Sequence, residues 1–429
     1  MLLRHLRGGG VAARKGRTAM RGRGAAAAAA ADGRAAPLPS PQTPALPADL
    51  AAASAAAAVR IAPYIRHTPL EPSPWLSGAG RCVAYLKLES EQATGSFKAR
   101  GAVNRLLTLP QEQLERGLVT CSTGNHALAF LHAARAVAAG AALPRSLVYL
   151  PRTASAGKVG KLRARGARIT LFGDDCVDTE AEARRVAGER GMVYISPYND
   201  WEVMAGQGTV AMEILQQLEE AEAAAAGAQP TAAAGGGGAA AAAAEPGGPA
   251  PADDGAAAAA AAAAAAPLVV YVPVGGGGLI GGMAAALKHA LGPRVRVVGC
   301  SPEASDVMRR SVEAGRIVDA PTGPTLSDAT AGGIEEGALT LAPCAACVDE
   351  WVNVSEQEIA DAMASLLFHH SKLVEGAAGC AVAAFWRQRA SLAGARAVVL
   401  CCGGNVAVET LREVLERGRV LHAEAAAAG

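Results

Sequence analysis

Short apolar runs alternate with helical patterns along most of this chain, and that alternation limits the folds that it can adopt. The runs typical of strands are Val83–Glu89, Leu118–Cys121, Ser146–Leu150, Arg168–Phe172, Met192–Ser196, Leu268–Val274, Val295–Cys300 and Ala397–Cys401. The helical patterns that follow them include Asn125–Ala139, Ser155–Arg165, Asp178–Arg190 and Gly281–Leu291. This order predicts βαβ units, with parallel sheets covered by helices. Ligands of such folds bind at the carboxyl ends of the strands.

Length, charge and cysteine usage narrow the class of protein further. The chain has 429 residues, enough for one large or two medium domains. Its 40 basic and 39 acidic side chains nearly cancel, so no basic field points to a nucleic-acid partner. The nine cysteines are unevenly spaced and do not suggest a disulfide framework. Cys344 and Cys347 form a CxxC pair, but no second pair stands at zinc-site spacing, so we expect free thiols.

The first 31 residues contain no acidic side chain but several basic ones, among many alanines. No compact apolar core follows the charges, so the segment predicts an organelle transit peptide and not a secretory signal. Because serine and threonine are scarce in it, we expect the mitochondrial matrix in preference to the plastid. A cytoplasmic protein with an unstructured extension is the alternative.

Residues 219–266 are mostly alanine, glycine and proline with a few charges, which predicts a disordered insert without a function of its own. The uncharged stretch Ala256–Val274 is long enough to raise the question of a membrane span. Alanine contributes little to insertion, however, and Leu268–Val274 has the pattern of a buried strand before a glycine loop. We therefore expect no membrane association.

Lys98 stands at a strand-to-helix turn, between the alternating run Val83–Glu89 and a helical pattern that starts near Phe97. A lysine at the mouth of a sheet can lose hydration, and its pKa then falls, as a Schiff-base amine requires. Taken alone, an exposed helix lysine is the commoner explanation of such a short motif. The other motifs of the chain favour the Schiff-base interpretation.

The four glycines Gly275–Gly278 follow the run Leu268–Val274 and precede a helical pattern. A glycine loop in this position can turn its backbone N–H groups toward a phosphate, assisted by the helix dipole. Gly235–Gly238 has the same composition but no strand before it, so we interpret it as linker. The loop is not GxGxxG, and no basic residue follows at Walker spacing, which disfavours nucleotide binding.

A third strand-to-helix junction carries the sequence Cys-Ser-Thr-Gly-Asn-His at Cys121–His126. Hydroxyl groups together with the first backbone N–H groups of a helix form a good carboxylate site. An ordinary helix N-cap explains the same residues equally well.

Four segments, taken together and in this order, resemble the fold-type II pyridoxal-phosphate enzymes, and most of all the threonine and serine dehydratase and serine racemase group. These segments are Leu88–Ala102, Cys121–His126, Val274–Leu279 and Cys402–Asn405. The resemblance runs from about Ile61 to about Leu415. It implies an α/β fold of two domains with a tryptophan synthase β-like architecture, in which helices cover parallel twisted sheets.

The resemblance also implies that the smaller domain is inserted into the larger, cofactor-binding one. With the low-complexity segments it predicts a large domain at 45–116, 193–218 and 267–422, a small domain at 117–192, and disordered residues at 1–44, 219–266 and 423–429. Members of the family are commonly homodimers, and a homodimer is expected here by analogy.

The family's cofactor is pyridoxal 5'-phosphate, and its motifs assign residues to it. In this chain they imply that Lys98 carries the cofactor, Phe97 packs against its ring and Asn125 contacts its phenolic oxygen, while Cys402 faces its ring nitrogen. The phosphate is assigned to Gly275, Gly276, Gly277 and Gly278. The substrate carboxylate is assigned to Ser122, Thr123 and Gly124, with His126 orienting the loop.

The implied reaction is an α,β-elimination that converts L-threonine or L-serine, a small-molecule amino acid, to a 2-oxo acid and ammonia, with Lys98 as the base. Cys402 is a weak neutral partner for a ring nitrogen, which favours loss of a β-substituent over prolonged carbanion chemistry. Thr123 replaces the serine that racemases use as a second acid or base, so a dehydratase is preferred to serine racemase. Another β-hydroxy amino acid as substrate, or a non-catalytic cofactor-binding protein, stays open. No metal is expected, although Glu303 and Asp306 lie near the family's cation position.

Overall fold

The computed structural model describes residues 47–122, 124–138, 144–154, 156–174, 176–225 and 265–423. All of them belong to one compact unit, Pro44–Gly429. The predicted N-terminal extension, and most of the predicted insert and tail, lie outside the described residues.

The larger of two sheets has six strands in the order β1-β2-β10-β7-β8-β9. Its strands are β1 (Leu70–Pro72), β2 (Val83–Lys87), β7 (Leu268–Pro273), β8 (Val295–Pro302), β9 (Glu350–Val354) and β10 (Arg396–Leu400). Strand β1 pairs antiparallel with β2, and all other pairs are parallel. The strand nearest the end of the chain, β10, therefore lies inside the sheet, between β2 and β7.

The smaller sheet has four parallel strands in the order β5-β4-β3-β6. They are β3 (Leu118–Cys121), β4 (Ser146–Leu150), β5 (Ile169–Leu171) and β6 (Val193–Tyr194). All four fall within the part of the chain between the first two strands and the last four strands of the larger sheet.

Helices connect the strands and cover the sheets. They are α1 (Pro47–Ile61), α2 (Pro74–Gly80), α3 (Lys98–Leu107), α4 (Gln111–Arg116), α5 (Asn125–Ala138), α6 (Ala156–Arg163), α7 (Cys176–Glu189), α8 (Trp201–Ala225), α9 (Gly278–Leu291), α10 (Val307–Ala314), α11 (Leu341–Cys347), α12 (Glu356–His370), α13 (Gly376–Gln388) and α14 (Val408–Arg417). Helix α13 packs against strands β7 to β10, and α8 packs against α1 and α9.

Strand β7 illustrates how the sequence produces the central layer. Every residue from Leu268 to Pro273 is buried, because β8 and β10 pair with both of its edges and helices cover it. A continuous apolar run is typical of a parallel strand covered on both faces. Its side chains share one core with those of β8, β10 and α13, and a second core around Val103, Phe130 and Val148 joins α3 and α5 to the smaller sheet.

The structure confirms the predicted α/β class with parallel, helix-covered sheets. The predicted start of the insert at residue 219 was wrong, because α8 continues to Ala225. Residues 219–225 are alanine and glutamate, which are strong helix formers. The glutamate Glu222 in this segment also forms an ion pair with Arg396 at the start of β10. The division into domains at 117–192 stays a prediction.

Candidate active site

A cavity of about 660 Å³ is lined by residues that follow the carboxyl ends of strands β2, β3, β7 and β10. Loops at these ends are the usual ligand sites of parallel sheets. The predicted site residues that line it are Phe97, Lys98, Ser122, Gly124, Asn125, His126, Gly275, Gly276, Gly277, Gly278 and Cys402. Thr123 lies outside the described residues. The structure thus brings residues from across the chain to one cavity.

Lys98 is the first residue of helix α3, and its side chain is half-buried at the cavity wall. Its Nζ donates a hydrogen bond to the carbonyl of Pro197 at 2.8 Å and lies 5.0 Å from the ring centroid of Phe97. Burial lowers the pKa of the Lys98 amine to about 8, although the nearby Cys402 and Glu375 raise it. The amine therefore loses its proton far more readily than an exposed lysine does.

The turn that carries Lys98 is fixed to the end of β10. The N–H of Phe97 donates to the carbonyl of Cys402 at 3.1 Å, and the N–H of Gly404 donates to the carbonyl of Gly95 at 3.0 Å. These backbone bonds hold Lys98 and the Cys402 thiol on neighbouring segments of the cavity wall.

Two residues beyond Lys98, the buried side chain of Arg100 anchors α3 to its surroundings. Its guanidinium donates to both oxygens of Glu89, at 2.8 and 2.7 Å, and to Glu213 of α8 at 2.7 Å. Lys87 of β2 donates to the other oxygen of Glu213 at 2.8 Å. Two cations and two carboxylates thus form a closed, buried network below the turn, which fixes the start of α3 against β2 and α8.

The glycine loop joins β7 to the first turn of α9. Gly277 has φ +84°, which other residues rarely adopt, and a Cβ there would lie 2.6 Å from Cε of Met308. A Cβ on Gly276 would lie 2.5 Å from the ring of Tyr198. Side chains are therefore excluded, and the backbone N–H groups at the start of α9 remain available to an anion.

The loop after β3 leads into α5, which begins at Asn125. The N–H of Gly124 donates to Oγ of Ser122 at 3.3 Å. His126 is buried, and burial followed by the charge of Lys98 lowers the pKa of its imidazole to about 3, so the ring is neutral at physiological pH. Its Nε2 lies 3.3 Å from the carbonyl of Ile195, which assigns the proton to Nε2.

Sequence reasoning missed the acidic residues of the cavity wall, and of these Glu375 contacts two predicted site residues. It is 3% exposed and precedes α13. The Nδ2 group of Asn125 donates to both Glu375 oxygens at 2.9 Å, and Sγ of Cys402 lies 3.7 Å from Glu375 Oε1. Burial raises the pKa of Glu375 to about 7 and raises that of Cys402 well above its usual value. The only local signal was a carboxyl group before a Gly-Ala-rich helix, which is too common to single it out.

This set of groups suits an aromatic cofactor with a phosphate and a carbonyl group. The amine of Lys98 can condense with a carbonyl, the side-chain-free glycine loop can receive a phosphate, and Phe97 offers an aromatic face. Cys402 stays a neutral thiol, which suits a ring nitrogen that carries no proton. The residues present therefore fit the predicted cofactor.

Comparison with known proteins settles the family. A sequence model described as "Pyridoxal-phosphate dependent enzyme" matches residues 61–250 and 253–403. This chain belongs to that family. The predicted family and the predicted cofactor dependence are confirmed.

Relatives within this pyridoxal-phosphate family resemble the chain over most of its length. An L-threonine ammonia-lyase of Geobacter sulfurreducens is 32% identical over 361 residues, which are 84% of this chain and 77% of that protein. An L-threonine ammonia-lyase of Thermotoga maritima is 33% identical over 356 residues, 83% of this chain and 75% of the relative. The structure of maize serine racemase is 28% identical with a TM-score of 0.67, and the match covers 85% of this chain and 96% of that one. The fold-type II architecture is therefore confirmed.

The predicted location in an organelle matrix, mitochondrial or plastid, was wrong. The protein relatives at 31–33% identity come from bacteria, which have no such organelles. The basic residues from which that location was inferred lie before Pro47, outside the described residues. A basic, acid-free composition is common to many alanine-rich extensions, and it does not by itself identify a transit peptide.

The described residues also bear on the questions of a membrane span and a metal site. Within the described ranges, no helix is both long and apolar enough to cross a bilayer. The same part of the chain contains no group of three or more His, Cys, Asp or Glu side chains that could hold a metal ion. Cys344 and Cys347 are both buried, and neither forms a disulfide.

Proposed function

We propose that this member of the pyridoxal-phosphate family is a dehydratase that converts L-threonine, L-serine or both to a 2-oxo acid and ammonia by α,β-elimination. The observation that carries the proposal is the amine of Lys98, which has a lowered pKa and faces one cavity together with the glycine loop and the Ser122–His126 loop. The names of the bacterial relatives, threonine ammonia-lyase and threonine dehydratase, support it.

The cofactor would be held at three places. Lys98 would attach its carbonyl carbon, the backbone of Gly275–Gly278 would bind its phosphate, and Phe97 would pack against its ring. When bound, pyridoxal phosphate withdraws electrons and so stabilises negative charge at the α-carbon of an amino acid. Asn125 and Cys402 are the side chains that we assign to its phenolic oxygen and its ring nitrogen.

Lys98 is the residue that we assign to proton transfer. With a pKa of about 8, a substantial fraction of its amine is neutral at physiological pH once it is released. A neutral amine in a buried site can accept a proton from the substrate α-carbon, and the resulting ammonium can give a proton to the departing β-hydroxyl, which leaves as water. The neutral imidazole of His126 adds no positive charge that would oppose protonation of this amine.

The substrate carboxylate would bind at the start of α5. Ser122 and Gly124 line the cavity beside the first turn of the helix, whose dipole favours an anion. Thr123, which lies outside the described residues, is assigned a hydroxyl contact to the substrate and the role of second acid or base on sequence grounds alone.

Two architectural features belong to the same proposal. Strands β3, β4 and β5 of the four-stranded sheet and their helices would form the small domain at 117–192, inserted in the larger one, and β6 begins one residue beyond this bound. The chain would act as a homodimer, and sedimentation velocity of the purified protein would show a species of twice the chain mass.

The test is an absorbance scan of purified protein with added pyridoxal phosphate, followed by assay of 2-oxo acid with L-threonine, L-serine and D-serine. We expect an absorbance band of lysine-bound cofactor, and 2-oxo acid from the L-amino acids only. Lys98→Ala should lose both signals, whereas Lys288→Ala on α9, a lysine paired with Asp349 away from the cavity, should keep both. A wild-type protein without the cofactor band would overturn the proposal.

Serine racemase is the second candidate, because a serine racemase structure is among the neighbours that match this chain over most of its length. The same experiment separates the two activities if the remaining serine is analysed on a chiral column. Conversion of L-serine to D-serine without 2-oxo acid would assign racemisation to the site.

A further inference from the structure

Glu375 occupies a position in the cavity that the proposed reaction leaves without a role. It is 3% exposed, it lines the cavity, and its backbone N–H donates to the carbonyl of Gly403 at 3.0 Å. The backbone bond places it directly behind the loop that follows β10. A buried carboxyl group is costly unless its hydrogen bonds are satisfied.

The carboxyl group of Glu375 meets two side chains that are assigned to the cofactor. Nδ2 of Asn125 donates to both of its oxygens at 2.9 Å, and Sγ of Cys402 lies 3.7 Å from Oε1. These side chains come from different elements, the start of α5 and the end of β10. Glu375 is thus the group that joins them.

The other end of the Asn125 amide is also fixed. Its Oδ1 accepts a hydrogen bond from Nδ2 of Asn405 at 2.8 Å, and the same Asn405 group donates to the carbonyl of Thr94 at 2.8 Å. The amide orientation of Asn125 is therefore determined by an acceptor on one side and a donor on the other.

The carboxyl group has little freedom to move away from this position. A Cβ on Gly403 would lie 2.4 Å from Glu375 Oε1, so the glycine backbone approaches the carboxyl group at van der Waals distance. The side chain is enclosed by Gly403, Asn125 and Cys402.

We propose that Glu375 is a positioning residue of this active site, which holds Asn125 and Cys402 in the orientations in which they meet the phenolic oxygen and the ring nitrogen of the cofactor. It acts through these two side chains and does not touch the substrate. The inference rests on cofactor binding at Lys98, which is part of the proposed function.

The charge of Glu375 depends on pH within the physiological range. Burial raises its pKa to about 7, whereas the hydrogen bonds from Asn125 and Cys402 and the charge of Lys98 lower it, and Asp328 raises it further. The charge of Glu375 in turn raises the pKa of Lys161 on α6, although burial lowers that pKa overall. Below pH 7 the group is mainly neutral, and above pH 7 it is mainly a carboxylate that accepts from Asn125 with both oxygens.

The experiment compares the holoenzyme with Glu375→Gln and Glu375→Ala. The glutamine keeps acceptor and donor atoms in place but does not titrate, whereas the alanine removes both contacts. We expect Glu375→Ala to raise the Kd for pyridoxal phosphate about tenfold or more, the value of one lost hydrogen bond to a charged group, and to shift the absorbance maximum of the bound cofactor. Glu375→Gln should bind within about threefold of wild type.

If Glu375 had a purely structural role, its replacement would not change how the cofactor spectrum depends on pH. A pH titration of that spectrum therefore tests the proposal. Wild type should show a spectral step near pH 7, and Glu375→Gln should lack it. A Kd and spectrum like those of wild type in Glu375→Ala would overturn the proposal. An unchanged spectral step in Glu375→Gln would also overturn it, and this second test remains valid if the alanine variant does not fold.

A double-mutant cycle with Asn125→Ala tests whether Glu375 acts through Asn125. The increase in Kd for Glu375→Ala should shrink when Asn125 is already alanine, whereas additive effects would contradict the proposed route. All of these readouts use cofactor binding. A wild-type protein that binds pyridoxal phosphate but forms no 2-oxo acid would therefore contradict the dehydratase proposal without contradicting the proposed role of Glu375.

Discussion

At Lys98, the cost of burying a charged amine exceeds the attraction of the acidic groups around it. The pKa of the amine falls to about 8, even though Cys402 and Glu375 act in the opposite direction. Desolvation is therefore the dominant cause, and it comes from the enclosed position at the start of α3. The lowered pKa of this lysine is a property of its place in the fold.

The rate at which the apoprotein captures pyridoxal phosphate should depend on pH accordingly. Only the neutral amine attacks a carbonyl, so the rate constant should rise about tenfold per pH unit below pH 8 and level off above it. Stopped-flow absorbance over a pH series measures this rate. Lys98→Ala serves as the control and should show no such phase, and a rise that continues to pH 10 would contradict the lowered pKa.

The residues that local sequence could identify are those that follow a strand. Lys98, Gly275–Gly278 and Ser122 each stand at a strand-to-helix junction, where ligand contacts are expected in an α/β fold. Glu375 was not predictable in this way. Its contacts to Asn125 and Cys402 span 250 and 27 residues of sequence, so only the folded chain shows them.

Helix α3 depends on charges that are almost completely removed from water. The side chains of Arg100, Lys87 and Glu89 are 0% exposed, and that of Glu213 is 12% exposed. Such a group is stable only while each member keeps its partner, because an unpaired buried charge is strongly unfavourable. Helix α3, which places Lys98 at the cavity, is therefore held by buried ion pairs as well as by apolar packing.

Replacing Arg100 by methionine should destabilise the protein by about 3–5 kcal/mol, because Glu89 loses its counter-charge in the core. Urea unfolding followed by circular dichroism measures the change. Arg116→Met on α4 is the matched control, since its partner Glu112 is exposed and the pair should contribute less than about 1 kcal/mol. Equal losses in both variants would contradict the importance of burial.

The two ends of helix α9 offer a test of the glycine loop. Gly277 before it and Gly292 after it both have positive φ, but a Cβ on Gly277 meets Met308 at 2.6 Å and one on Gly292 meets nothing within 4 Å. Each alanine variant should lose about 1–3 kcal/mol through backbone strain, because Gly277 is left-handed and Gly292, at φ +54° and ψ −128°, has a conformation that other residues rarely adopt. Only Gly277→Ala should also weaken pyridoxal phosphate binding, which fluorescence titration measures, and equal Kd values in the two variants would contradict the phosphate assignment.

Elements with strong local patterns were predicted more closely than those without. Strands β3 and β4 have the predicted bounds, because each is a continuous apolar run between helical patterns. Strand β9, Glu350–Val354, was missed, since it mixes polar and apolar residues at the edge of the sheet. The three-residue β1 carries too few positions for a period to show.

At the scale of the whole molecule, the described residues on the two sides of the long low-complexity segment meet at one place. Arg396 at the start of β10 pairs with Glu222 near the end of α8 and donates to the carbonyl of Ala266, just before β7. Glu222 before the segment and Ala266 after it are therefore bound by the same guanidinium group.

Replacing residues 226–264 by about eight Gly and Ser residues should leave the fold and the activity unchanged, because loop length has only a weak effect on closure entropy. The free energy of unfolding should change by no more than about 1 kcal/mol. Thermal unfolding and the 2-oxo acid assay check this result. A large loss of either would assign the segment a role that its composition does not suggest.

The position of β10 has a consequence for the newly made chain on the ribosome. Strand β2 and the Lys98 turn emerge early, but the strand that joins them to the rest of the sheet, and the Cys402 carbonyl that fixes Phe97, lie some 300 residues later. At about 5–20 residues per second, that gap corresponds to roughly 15–60 s of synthesis. A polypeptide released before Leu400 contains Lys98 but not the part of the cavity wall that follows β10. We therefore expect the cofactor to bind only after translation has passed Cys402.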